Sequence, residues 1–109
     1  MRSFLAALLL VAGAAGAQDY PAKPVTVIVP FPAGGPTDQV ARQLAAKFAE
    51  KLGQPFVVEN VSGGNTIIAC RRLAQSAPDG YTLLVHNLQI TANPGLYGAY
   101  WDIQDWHWK

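Results

Sequence analysis

The chain has 109 residues and a formal net charge of +1, with Arg71-Arg72 as its only basic doublet. This length allows at most one small domain, and the balanced charge excludes the clustered basic face of a nucleic-acid-binding protein. Cys70 is the single cysteine, so the chain is not a small scaffold held together by internal disulfides.

The N-terminus has the pattern of a secretory signal peptide. Met1 to Ser3 is short and basic, Phe4 to Ala15 is almost wholly apolar, and Ala15 to Ala17 has the small-x-small form of a cleavage site. The apolar run is too short to span a membrane, which takes about 20 residues. We therefore expect a signal peptide over residues 1–17, cleavage after Ala17 and no membrane insertion of the mature chain. An uncleaved interfacial helix is the alternative.

The first predicted strand is the β-branched run Val25 to Val29, whose continuous apolar character is typical of a strand covered on both faces. Two prolines and a Gly pair follow, and then a helix is predicted. Its first turn accommodates Pro36, Thr37 or Asp38 can cap it, and Gly53 ends it. The apolar residues of this helix share one face at a 3.6-residue period: Val40, Ala41, Leu44, Ala45, Phe48 and Leu52.

A second strand, a second helix and a third strand follow in order. They are predicted at Phe56 to Asn60, at about Thr66 to Ser76, and at Tyr81 to Val85. Packing candidates in the second helix are Ile67, Ile68, Ala69, Leu73 and Ala74. The order β-α-β-α-β predicts an α/β fold with a parallel sheet and right-handed crossovers. If the crossovers run in opposite directions, the first strand is central and the third is its neighbour across the switch point.

Ligands of open parallel sheets bind beyond the carboxyl ends of the strands, at the switch point. Two predicted turns meet there, Phe31 to Asp38 and His86 to Thr91. The first contains neither a dinucleotide fingerprint nor a P-loop. Apart from Asp38 it is an uncharged turn rich in backbone donors, which suits a carboxylate or another small oxyanion. The alternative is a purely structural turn, with glycines for positive φ and Asp38 as a cap.

No pattern in the chain predicts catalysis, a metal or a cofactor. Asp38 is expected to orient backbone amides or a bridging water and not to act as a base. Cys70, His86 and His107 lack the paired spacing of zinc ligands. Cys70 is expected to be a small helix residue and His86 a plain strand-end residue, and the nucleophile motif G-x-S-x-G is absent.

All three tryptophans fall within Trp101 to Lys109. Residues 99–109 are therefore set apart as a divergent, Trp-rich tail. One interpretation is an aromatic binding patch. The other is a set of aromatic side chains that would be core residues in a longer protein, because a three-stranded parallel sheet leaves edges that need covering.

An ordered series of motifs resembles the substrate-binding proteins of the tripartite tricarboxylate transporter family, the Bug-type periplasmic receptors. The matching segments are Tyr20 to Pro24, Val29 to Asp38, Leu52 to Pro55, Val58 to Asn60, Ala77 to Leu84 and Asn93 to Tyr97. The resemblance implies a type II periplasmic-binding fold, in which two α/β lobes close on a small carboxylate. Residues 18–98 would form a partial first lobe. It also implies a periplasmic location and delivery of the ligand to the membrane permease subunits of the transporter.

The resemblance also implies which residues bind the ligand. In this family the first-lobe turn contacts a ligand carboxylate through backbone amides and ordered water, and residues after the third strand lie nearby. Carried over to this chain, the site residues are Phe31, Pro32, Ala33, Gly34, Gly35, Thr37, Asp38, Asn87 and Gln89.

Two departures from the family pattern matter. Asn65, Thr66 and Ala69 stand where the family has glycines, and the chain is much shorter than family members. We therefore expect an N-terminal fragment of a carboxylate receptor, without catalysis and with weak or undetectable binding on its own. A small exported interaction module and a non-functional truncated product are the alternatives.

Overall fold

A computed structural model describes residues 19–92, in which strands and helices alternate. The elements are β1 (Val25–Val29), α1 (Pro36–Leu52), β2 (Phe56–Asn60), α2 (Ile67–Gln75) and β3 (Thr82–Leu84), with a 3-10 turn at Gly64–Thr66 before α2. This confirms the predicted β-α-β-α-β order. The predicted signal peptide over residues 1–17 and the tail over residues 99–109 lie outside the described residues, as do both ends of the predicted lobe over residues 18–98.

The sheet is parallel throughout and has the order β2-β1-β3. Val27 of the central strand pairs with Val58 on one side and with Leu83 on the other. Val25, Ile28 and Val29 are fully buried, because β1 is flanked by strands and covered by helices. The predicted central strand and switch point between β1 and β3 are therefore confirmed.

Two predicted elements are shorter in the structure. β3 keeps only three residues of the predicted Tyr81 to Val85, although both flanking residues still pair with β1. The N–H of Thr26 donates to the carbonyl oxygen of Tyr81 at 2.9 Å, and that of Val85 donates to Ile28, also at 2.9 Å. The second helix ends at Gln75, one residue before the predicted end. It begins at Ile67 and not at Thr66, because Thr66 has a left-handed backbone with φ of 75°.

Helix α1 has the predicted bounds but not the predicted cap. Gly35 occupies the N-cap position and no side chain caps the helix. Pro36 takes the first helical position, so Thr37 and Asp38 lie inside the first turn, beyond the position from which a side chain caps. At the other end Gly53 adopts φ of 75°, and its N–H donates to Ala49 at 3.0 Å, as its predicted role as a helix stop requires.

The predicted apolar face of α1 is only half covered. Ala41 and Ala45 are buried against the sheet, but four large apolar side chains of the same face are 40–53% exposed: Val40, Leu44, Phe48 and Leu52. The helix lies over β1 and β2, and no further layer of residues 19–92 covers the adjoining stripe. In α2 the buried residues are Ala69 and Cys70, whereas Ile68 is 52% exposed, and the prediction that Cys70 is a small helix residue is confirmed.

No helix within residues 19–92 combines the length and the apolar composition needed to cross a bilayer.

Candidate functional site

The turn between β1 and α1 depends on a glycine with a left-handed backbone. The N–H of Gly35 donates to the carbonyl oxygen of Pro32 at 3.4 Å, and Gly34 between them has φ of +88°. A positive φ at the third position is the mark of a type II turn and strains any residue with a Cβ. Gly35 is extended, and Pro36 begins the helix. The turn therefore places the N-terminus of α1 directly beyond the end of β1.

This helix end carries backbone donors that have no partner within residues 19–92. The first intrahelical bond runs from the N–H of Gln39 to the carbonyl oxygen of Gly35 at 3.0 Å. The earlier N–H groups of the helix belong to Thr37 and Asp38, since Pro36 has none. The positive end of the helix dipole lies at the same place. A small anion is the kind of ligand that such a helix end favours.

Asp38 is a buried carboxylate at the base of the turn, with only 2% of its surface exposed. Its Oδ2 accepts hydrogen bonds from the N–H of Gly34 at 2.8 Å and from Nε of Arg42 at 2.9 Å. Its Oδ1 accepts one from Nδ2 of Asn60 at 2.8 Å. Both carboxylate oxygens are therefore engaged, and Asp38 orients a backbone amide of the turn.

These contacts also set the ionisation of Asp38. The hydrogen bond from Arg42, followed by those from the N–H of Gly34 and from Asn60, lowers the pKa of Asp38 from 3.8 to about 2. The carboxylate stays ionised at neutral pH, with a guanidinium beside it. Such a group is a poor general base, because its pKa lies far below neutral pH.

Asn60 connects three parts of the site, and sequence reasoning gave it no role. Besides its bond to Asp38, its Nδ2 donates to the carbonyl oxygen of Phe31 at 3.0 Å, and its Oδ1 accepts from Nη2 of Arg42 at 3.1 Å. One carboxamide thus ties the end of β2 to the turn and to α1. The one sequence signal of this network was the pair of Asp38 and Arg42 at i, i+4. It did not single out the site, because such pairs are common on exposed helix faces.

The second wall of the site follows β3. The ring of His86 meets the ring of Phe31 edge-on, with centroids 5.7 Å apart. Its Nδ1 lies 2.7 Å from the backbone nitrogen and 3.0 Å from the carbonyl oxygen of Asn87, so its role as acceptor or donor depends on whether Nε2 or Nδ1 carries the ring proton. That Nε2 is buried without a partner among the described residues, and burial lowers the pKa of His86. His86 therefore serves mainly as a neutral ring packed against the turn.

A hollow of about 370 Å³ opens between the two walls. It is lined by Phe31, Pro32, Gly35, Pro36, Thr37 and Asn87. The volume is within the range of about 300 to 1,000 Å³ that is usual for small-molecule sites. The hollow lies where the topology predicts a ligand, at the carboxyl ends of β1 and β3.

Most of the predicted site residues line this hollow, but four do not. Gly34 and Asp38 form its hydrogen-bonded support, and Ala33 is exposed in the turn. The side chain of Gln89 is directed elsewhere, since its Nε2 donates to Oδ1 of Asn65 at 3.2 Å. Within residues 19–92 no group of three His, Cys, Asp or Glu side chains is arranged to hold a metal ion.

The loop after β2 keeps a left-handed backbone at two positions that carry side chains. Asn65 has φ of 50° and Thr66 has φ of 75°. These are the positions where the family resemblance implies glycines. The loop therefore retains a conformation that glycine adopts freely, even though the residues have changed.

The sequence model of the tripartite tricarboxylate transporter family receptor matches residues 40–106, more than half of the chain. The chain belongs to this family. The family comprises substrate-binding receptors and is not an enzyme family. Its receptors are periplasmic.

Curated relatives of this receptor-family chain are considerably longer. A UPF0065 protein of Bordetella pertussis is 47% identical over 92 residues, which are 84% of this chain and 28% of the relative. Protein BugT of the same organism is 45% identical over 86 residues, which are 79% of this chain and 26% of BugT. The chain thus spans little more than a quarter of the length of these two relatives.

Solved structures give the same result. One described as a periplasmic transporter aligns with a TM-score of 0.72 and 40% identity, over 76% of this chain and 29% of its own. MatC from Rhodopseudomonas palustris, solved with bound malate, aligns with a TM-score of 0.57 and 51% identity, over 60% and 22%. An R. palustris protein solved with adipate aligns with a TM-score of 0.59 and 45% identity, over 61% of this chain and 22% of its own. The receptor-family chain therefore has part of a periplasmic-binding-protein fold, as the resemblance implied.

Proposed function

We propose that this chain is the first-lobe part of a periplasmic receptor that binds a small carboxylate in the hollow beyond β1 and β3. The carboxylate would be passed to the membrane subunits of a tripartite tricarboxylate-type transporter. The observation that carries the proposal is the hollow itself, where the N-terminus of α1 meets Asn87. Two structural relatives were solved with malate and with adipate, which are both carboxylates.

The lining of the hollow is mostly apolar, and its few polar groups favour an anion that only accepts hydrogen bonds. Candidate donors are the amides at the start of α1, the hydroxyl of Thr37 and the NH2 group of Asn87. The negative charge of Asp38 argues against an anionic ligand at first sight. However, Asp38 is buried, and Nε of Arg42 lies 2.9 Å from its carboxylate, so the pair presents little net charge to the hollow.

This wall alone is expected to bind weakly. Receptors that close by a hinge hold the ligand between two lobes, and the chain covers only 28% of its 47%-identical relative. A single wall makes only part of the contacts, yet the ligand still loses its translational and rotational freedom when it binds. Calorimetry of the chain with malate, succinate, citrate, glutamate and benzoate should therefore show no micromolar binding. A micromolar Kd would show that this wall suffices without a second lobe.

A chimera supplies the missing wall and tests the function itself. The matched part of MatC would be replaced by the corresponding residues of this chain, and calorimetry would measure the binding of malate and adipate. We expect one of them to bind, and Asn87→Asp to weaken that binding at least tenfold, by setting a carboxylate against the ligand. Gln43→Ala, on the exposed side of α1, is the matched control. A folded chimera that binds neither ligand, or binds equally well with Asn87→Asp, contradicts the proposal.

A further inference from the structure

The orientation of the Asn87 side chain is fixed by a backbone donor. Asn87 lines the hollow, and its Oδ1 accepts the N–H of Gln89 at 2.9 Å. A backbone N–H can only donate, so the side-chain atom facing it must be the oxygen. The NH2 group is consequently the end of the carboxamide that remains for a ligand. An NH2 group is a donor, which is what a carboxylate requires.

Gln89 is itself tied to a distant loop. Its Nε2 donates to Oδ1 of Asn65 at 3.2 Å. Asn65 follows β2, whereas Gln89 follows β3, and these strands lie on opposite sides of β1. The hydrogen bond therefore bridges the two outer loops across the carboxyl end of the central strand. Asn65, Gln89 and Asn87 form a continuous series of contacts that ends at the wall of the hollow.

The loop that carries Asn65 has an unusual backbone. Asn65 is left-handed at φ 50° and ψ 49°, and the buried Thr66 after it is left-handed as well. Asn tolerates this region better than most residues, but a β-branched residue there is an outlier. Such conformations persist where the surrounding contacts determine them. The bond between Asn65 and Gln89 is one of those contacts.

We propose that Asn65 and Gln89 are positioning residues that together hold the Asn87 carboxamide with its NH2 group available to the ligand carboxylate. The side chain of Gln89 holds its own backbone N–H in place, and that N–H donates to Asn87. Gln89 does not touch the ligand. The ligand part of this inference rests on the proposed function. The brace, defined as the contacts from Asn65 through Gln89 to Asn87, belongs to the ligand-free chain and can be measured without any ligand.

The first experiment measures the brace alone. The heteronuclear NOE of the Asn87 side-chain nitrogen would be recorded in the 15N-labelled chain and in Asn65→Ala, Gln89→Ala and the double variant. The NOE should fall equally in both single variants and no further in the double. Asn65→Asp keeps an oxygen that accepts from Gln89, so it should preserve the NOE, as should the control Gln43→Ala. An unchanged NOE in Gln89→Ala, or additive losses in the double variant, would overturn the brace.

The second experiment separates positioning from direct contact. Malate is titrated into the same chain, and the slope of the Gly35 amide shift against malate concentration reports the affinity. Gln89→Ala should lower the slope roughly three- to tenfold, as expected for one weakened hydrogen bond. In an Asn87→Ala background, Gln89→Ala should cause no further decrease in this slope. A further loss there means that Gln89 touches the ligand, and the assignment is wrong. If neither malate nor adipate shifts any amide of the unaltered chain, the ligand part of this inference fails and the chimera decides the proposed function, while the NOE still decides the brace.

Discussion

The side-chain amide of Asn60, at the end of β2, donates a 2.8 Å hydrogen bond to the carboxylate of Asp38, in the first turn of α1. The same nitrogen donates to the carbonyl oxygen of Phe31 at 3.0 Å. Asp38 in turn accepts the N–H of Gly34. The shape of the turn beyond β1 therefore depends on a residue of the neighbouring strand, and this dependence can be tested.

Replacing Asn60 with alanine should destabilise the chain. The substitution removes hydrogen bonds to Phe31, Asp38 and Arg42 and leaves the buried carboxylate with fewer donors. We expect the free energy of unfolding to fall by about 1 to 3 kcal/mol, as measured by urea unfolding. Gln43→Ala, at an exposed position of α1, is the control and should change it by less than about 0.5 kcal/mol. Equal effects of the two substitutions would contradict the role given to Asn60.

The lowered pKa of Asp38 makes stability depend on pH. A carboxyl group whose pKa is lower in the folded state stabilises the fold above its unfolded pKa, and this stabilisation disappears as pH falls through the folded pKa. With the pKa of Asp38 lowered from 3.8 to about 2, the free energy of unfolding should decline between about pH 4 and pH 2. The urea midpoint measured across this range should decline less in Asp38→Asn. Parallel curves for the two proteins would show that Asp38 carries no such linkage.

The two glycines of the turn should respond differently to alanine. Gly34 has φ of +88°, and an added Cβ would meet no atom within 4 Å, so Gly34→Ala tests the backbone alone. We expect it to destabilise the chain by about 1 to 2 kcal/mol. Gly35 has φ of −73°, and a Cβ there would lie 3.5 Å from the carbonyl oxygen of Pro32, an ordinary contact. Thermal unfolding should show little effect of Gly35→Ala. A larger loss at Gly35 than at Gly34 would be incompatible with the turn described.

Export can be tested on the N-terminus. We propose that residues 1–17 are a signal peptide, from the short basic start, the apolar run and the small residues at its end. Expression in a Gram-negative host, followed by mass spectrometry of the periplasmic extract, should yield a chain that begins at Gln18. Ala15→Arg should block cleavage, whereas Ala14→Gly should not. A mature product that retains Met1 would refute this proposal.

Local sequence patterns were sufficient for the elements and their order. The β-branched run of β1 and the stop at Gly53 have no competing interpretation, and the alternation of strands and helices fixes a parallel sheet. The hollow was also predictable, because ligand sites of such sheets follow from topology.

Contacts between distant residues were not predictable in the same way. Asn60 reaches the turn because the parallel register pairs it with Val29, and no local pattern specifies that register. The bond between Asn65 and Gln89 likewise joins loops on opposite sides of β1. The periodicity of α1 indicated an apolar face but not whether anything covers it, so the exposure of Leu44 could not be foreseen.

We propose above all that the turn beyond β1 and the residue Asn87 recognise a carboxylate. The most direct test is a titration of the 15N-labelled chain with malate and, in parallel, with its uncharged dimethyl ester. Malate at millimolar concentrations should shift the backbone amides of Gly35 and Thr37 and the side-chain amide of Asn87, and the ester should shift none of them. Equal shifts with both compounds, or malate shifts confined to residues away from the hollow, would contradict the account.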